Sequence, residues 1–144
     1  MADPHHPLTK PMTIEEIVDG FEFLDTWDDR YGYLIELGRM LRPLVPEEMN
    51  SATKVQGCVS QVWLVPSFED GRLWFRGASD AHIVRGLVAI ALTLFSGRAP
   101  EAVEAIDERE TFKAIGLDEH LTPQRANGLR AMVERIKTTA REAA

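Results

Sequence analysis

Apolar residues recur along the chain at two periods, and the switches between them divide it into helices and a hairpin. Thr13 and Glu16 have the spacing of a capping box, in which a hydroxyl and a carboxylate satisfy first-turn N–H groups. Beyond them Ile14, Ile17, Val18, Phe21 and Leu24 fall on one face, which predicts a helix over about 13–25. A second amphipathic stretch, about 28–41, presents Tyr31, Leu34, Ile35 and Leu41. Pro43 closes it, because proline lacks an N–H and restricts the residue before it. The two helices are expected to pair as a hairpin.

From Pro46 to Gln56 the text is polar and unperiodic, and then Val62, Trp63, Leu64 and Val65 make a β-branched and aromatic run. Glu69-Asp70-Gly71 supplies turn chemistry, so Arg72 to Arg76 reads as the returning antiparallel strand. Lys54-Val55-Gln56 is a candidate third strand. Two strands alone are marginal in water, so the sheet needs either that third strand or helices packed on it.

Ser79 or Asp80 is placed to cap the next helix, which is apolar nearly all round from Ile83 to Phe95 and reads as the central core helix. Gly97 stands where a left-handed C-cap belongs. Pro100 opens a short helix to Ile106, Glu108 to Ile115 makes another ended by Gly116, and Thr122-Pro123 starts the last. In that last helix Ala126, Leu129, Val133, Ile136 and Ala140 repeat at steps of three and four. A helix pair, a hairpin and a run of helices predict an α+β fold, with several helices packed against a small antiparallel sheet of two or three strands.

Length fits one domain, taken as 13–144, and the 44% hydrophobic content is enough for a core. The stretch 1–12, with Pro4, Pro7 and Pro11 and no apolar segment of signal-peptide type, is expected to be a loose tail of a cytoplasmic protein. Its His5-His6 pair is given no role. Sixteen basic against 23 acidic residues leave a net charge of −7, which disfavours nucleic acid and anionic membrane surfaces as partners. The 13-residue apolar run ending at Phe95 is too short to span a bilayer.

Cys58 is the one cysteine, which excludes an internal disulfide, a CxxC pair and a four-thiolate metal site within one chain. It stands in Gln56-Gly57-Cys58-Val59-Ser60-Gln61, at a turn before a strand, so it reads either as an inert packed thiol or as a reactive one. No Cys/His/Asn constellation is legible. His82, at a helix start, and His120 read as structural or solvent-facing residues as readily as functional ones. Asp80 reads as an N-cap or an acid, and Arg125 as an exposed charge or the partner of an anion. Trp63, Trp74 and the phenylalanines read as core.

Four blocks come in one order: Gly57-Cys58-Val59-Ser60-Gln61-Val62-Trp63, Ser79-Asp80-Ala81 running on to Val84-Arg85-Gly86-Leu87, and His120-Leu121-Thr122-Pro123-Gln124-Arg125-Ala126-Asn127-Gly128-Leu129, with Glu36-Leu37-Gly38 upstream. In these the chain resembles the SufE family of cysteine desulfuration proteins over about 13–140. The resemblance implies a fold related to the IscU-type scaffold and a sulfur acceptor that needs no cofactor or metal of its own. It implies a cysteine desulfurase as partner, stimulated by the protein, and an iron–sulfur scaffold complex as recipient. It implies that Cys58 carries the persulfide, that Arg125 lies near it, and that Gly57, Ser60 and Asp80 meet the partner, with His120 as a further match to the pattern. On that reading the thiolate is favoured by the Arg125 charge, by a helix N-terminus or by the desulfurase pocket itself, and the resemblance implies that the side chain tucks inward at rest, where the persulfide is sheltered. An iron–sulfur scaffold and a binding module with an inert Cys58 are the competing classes, and a homodimer is left open.

Overall fold

The computed structural model describes residues 4–144. Its elements run α1 (Ile14–Phe23), α2 (Trp27–Arg39), a 3-10 turn (Pro46–Glu48), β1 (Val62–Glu69), β2 (Arg72–Ser79), α3 (His82–Phe95), α4 (Pro100–Ala105), α5 (Glu108–Ile115), α6 (Leu117–His120) and α7 (Pro123–Ala143). The α+β expectation holds. α6, a single turn with no apolar repeat of its own, and the 3-10 turn in the unperiodic stretch after Pro46 are the elements the sequence pattern does not predict.

The capping box forms as expected: Glu16 N–H donates to Thr13 Oγ1 at 3.1 Å, and Thr13 N–H to Glu16 Oε1 at 2.9 Å. The hairpin turn also follows its residues. Asp70 and Gly71 both take positive φ, +54° and +75°, between the paired Glu69 and Arg72, as a two-residue turn matched to strand twist requires. The third strand does not develop. Val55 N–H donates to Val62 and Leu64 N–H to Thr53, but among the described residues this stays one bridge, Lys54 with Trp63. On the other edge Gly97, at φ +79°, does not close α3 with a C-cap bond. It turns the chain so that its N–H donates to Leu73, and Leu73 N–H donates to Arg98.

α3 is the core, with Val88 to Leu92 fully buried between β2 on one side and α2 and α7 on the others. The expected α1–α2 hairpin gives way to a different packing: α2 lies along α3, while α1 packs against α5 and α3 and meets α2 through Phe21 on Tyr33 (centroids 4.8 Å). Glycines decide this. A Cβ on Gly38 would come 2.7 Å from that of Arg85, and one on Gly86 would overlap the Leu34 carbonyl, so α2 and α3 cross closer than side chains permit. Phe21, Phe75 and Phe95 are fully buried and Trp74 is buried, but Phe23 and Phe68 are exposed and Trp63 is half-buried, so the aromatic residues are only partly core.

The loose-tail expectation is corrected from Pro7 onward. Leu8 is fully buried, Thr9 N–H donates to Met40, Arg42 N–H donates to Pro7, and Leu8 bridges Leu41. His6 takes part: its Nδ1 accepts from Leu8 N–H at 3.0 Å, so Nε2 carries the proton donated to the Met12 carbonyl at 2.9 Å. Pro4, Pro7 and Pro11 exclude a helix here, and pairing with the end of α2 supplies the hydrogen bonds the sequence could not reveal. Residues 1–3 of that stretch lie outside the described residues.

Candidate functional site

The segment that enters β1 is held on α7 at two places. Arg135 donates to the Lys54 carbonyl at 3.2 Å and to that of Ala52, and Gly57 lies so close that a Cβ on it would stand 3.4 Å from the Ala131 Cβ. Gly57 has φ +89°, a left-handed turn that residues with side chains avoid. It aims the next residue at the helix. The half-buried Cys58 thiol donates to the Gly128 carbonyl at 3.5 Å.

Gly128 backs that sulfur. A Cβ there would stand 3.6 Å from Cys58 Sγ and 3.9 Å from its Cβ, ordinary contact distances, so the glycine leaves a shallow recess beside the thiol without the thiol's position requiring it. The recess opens to a cavity of about 330 Å³ lined by Cys58 and Ser60 from the loop, Leu87 from α3 and Arg125, Gly128 and Met132 from α7. Thr122 Oγ1 accepts from Arg125 N–H at 3.3 Å and caps α7, which sets Arg125 in the first turn beside the cavity.

Three of the predicted residues, Cys58, Ser60 and Arg125, thus share one cavity, with Gly57 as its hinge. The part of the electrostatic expectation that rests on Arg125 is not met in this arrangement. Burial pushes the Cys58 thiol above its ordinary pKa, and no other cause contributes. Among the described residues no hydrogen bond joins Arg125 to the sulfur, whose one partner is a carbonyl, an acceptor that favours the neutral thiol. In this arrangement the thiol is sheltered rather than activated.

Asp80 is not the cap of α3. That helix starts at His82 behind Ala81 with no side-chain cap, and Ser79 Oγ accepts only from Ala81 N–H, at 3.3 Å. Asp80 is still leaving β2, where its Oδ1 accepts from Gln61 N–H at 3.0 Å and its own N–H donates to the Gln61 carbonyl. It lies outside the thiol cavity and is tied to the segment that carries the thiol. His120 is separate from both: its ring stacks on Trp27 with centroids 4.0 Å apart, and its carbonyl accepts from Tyr31. Gly128, Met132 and Arg135 were missed as site residues. The one legible signal was a glycine inside a helical repeat.

Comparison with known proteins bears on the family and the fold. Residues 15–140 match the family described as SufE, Fe-S metabolism associated domain. An uncharacterised SufE-like protein of Rhizobium meliloti is 53% identical over 132 residues, covering 89% of this chain and 94% of that protein. One from Rhizobium etli is 50% identical over 133 residues, 90% of each. The solution structure of a hypothetical protein from Thermus thermophilus shares the fold, with a TM-score of 0.73 at 23% identity over 92% of this chain and 98% of that one. The chain belongs to the SufE family, whose domain is associated with iron–sulfur metabolism.

Proposed function

We propose that the protein is a sulfur acceptor that takes persulfide sulfur from a cysteine desulfurase onto Cys58, stimulates that enzyme and hands the sulfur on to iron–sulfur cluster assembly. The observation that carries this reading is the lone thiol behind a left-handed glycine, set against Gly128 in a cavity that Arg125 also lines. The Cys58 thiolate attacks the outer sulfur of the desulfurase persulfide, the S–S bond breaks, and the desulfurase thiolate leaves. One S–S bond replaces another, so no oxidant is needed.

Shelter and reactivity are separated in space. Facing Gly128, the thiol favours its neutral, less nucleophilic form. Turning about Gly57, which tolerates backbone angles closed to other residues, it leaves the recess, is deprotonated and meets Arg125, whose permanent charge stabilises a thiolate or persulfide without titrating. Gly57, Ser60 and the exposed Val59 beside the thiol, with Asp80 tied to the same segment through Gln61, form the surface that a partner touches. His120, stacked on Trp27, is left a structural part in this reading.

A cluster-assembling scaffold is less well supported, because among the described residues no His, Asp or Glu lines the cavity with the thiol. Intact mass after incubation with a cysteine desulfurase and free cysteine tests the acceptor reading. The wild type should gain sulfur and Cys58→Ser should not; full stimulation of cysteine turnover by the Ser variant would overturn the proposal.

A further inference from the structure

On the far side of Asp80 from the thiol, a second cavity of about 400 Å³ gathers Arg39, Arg42 and Arg85 around the half-buried Trp63 and Met49. In a chain of net charge −7, three guanidinium groups on one cavity form a local field of opposite sign to the whole. None is neutralised: among the described residues none of the three makes an ion pair. Arg85 Nε donates to the Ser79 carbonyl at 2.7 Å and Arg42 Nε to the His6 carbonyl at 2.6 Å, which orients both, and among the described residues their terminal amino groups have no acceptor. The one carboxylate at the rim, Asp80, already accepts from Gln61.

Oriented, unpaired guanidinium forks above an apolar floor suit a carboxylate next to an apolar side chain, since the fork matches the carboxylate in a bidentate way and Trp63 and Met49 accept the rest. Asp80 binds Gln61, three residues beyond Cys58, so this cavity lies within roughly 11 Å of chain from the thiol. We propose that it is a second docking point, which takes an acidic, apolar-flanked segment of the same protein that delivers sulfur to Cys58. This rests on the acceptor reading and adds to it. The thiol rim provides the chemistry, and the arginine cavity provides charge-steered capture.

Binding of a cysteine desulfurase should be measured by calorimetry at two salt concentrations, alongside sulfur uptake at saturating desulfurase. Arg39 is exposed and makes no hydrogen bond among the described residues, so Arg39→Glu leaves the fold intact; Arg85→Lys, which keeps the charge but loses the fork, is the second variant. The expected result is a Kd about tenfold weaker for Arg39→Glu, with a flatter salt dependence, and a smaller loss for Arg85→Lys. Uptake at saturation should stay at the wild-type level. Unchanged affinity in both variants, with wild-type uptake intact, would overturn the docking cavity and leave the acceptor reading standing. Millimolar citrate, as a competing carboxylate, should weaken the wild type more than either variant; equal weakening of wild type and variants would mean that carboxylates act away from the arginine cavity, and would overturn it too. Absence of uptake in the wild type would instead strike the acceptor reading itself.

Discussion

Cys58 shows how one side chain serves two opposed requirements. A persulfide carrier needs a thiolate at the moment of transfer and an inert sulfur at other times, and at an ordinary pKa near 8.5 only about 3% of a thiol is ionised at pH 7. Burial against Gly128 lowers that fraction further. The alkylation rate of the native protein should therefore rise with pH through a midpoint above the ordinary thiol value, and fall back to that value on unfolding. Because the folded pKa is the raised one, the associated stability is fully present below the unfolded pKa. It is lost as pH rises from there through the folded pKa. Cys58→Ser should flatten that alkaline decline in a denaturant titration. Arg125→Ala should leave the native alkylation midpoint in place, since only burial shifts it, and should slow sulfur uptake. A midpoint displaced upward by Arg125→Ala would show that the charge acts on the sheltered thiol as well.

Among elements, α7 does the positioning. Its first turn presents Arg125, its second offers the Gly128 carbonyl to the thiol, and further along Arg135 clips the carbonyls of Ala52 and Lys54. Removing that clip frees the loop from the helix without touching the thiol. Arg135→Ala should lower stability by about 1 kcal/mol, the scale of charge-assisted hydrogen bonds that are partly open to water. It should also speed alkylation of Cys58 near neutral pH, read as a time course by intact mass. Unchanged labelling would mean that the Gly128 contact alone holds the sulfur in place. α2 and α3 make the other decisive pairing, where Gly38 and Gly86 allow a crossing too close for any other residue.

At the scale of the molecule, the unit extends beyond its helices. Leu8 is fully buried, and the strand-like stretch around it closes the end of α2. Leu8→Ala should cost about 2–4 kcal/mol, measured by chemical denaturation, which a loose tail would not. What the sequence determined by itself was local: the Thr13 capping box, the Asp70-Gly71 turn, the apolar α3 and the boundaries of α5 all follow from nearest-neighbour geometry and period. The family blocks also marked Cys58, Arg125, Asp80 and the glycines before any contact was known. Tertiary structure decided the rest. Whether α1 paired with α2, whether Lys54 to Gln56 became a strand, and whether residues 7–12 were anchored depended on partners tens of residues away. So did the electrostatics of the thiol. Gly128, whose carbonyl the thiol meets, lies 70 positions from Cys58, and burial raises the thiol pKa where the Arg125 charge was expected to lower it. Desolvation and carbonyl contacts act through space, where spacing along the chain carries no information about them.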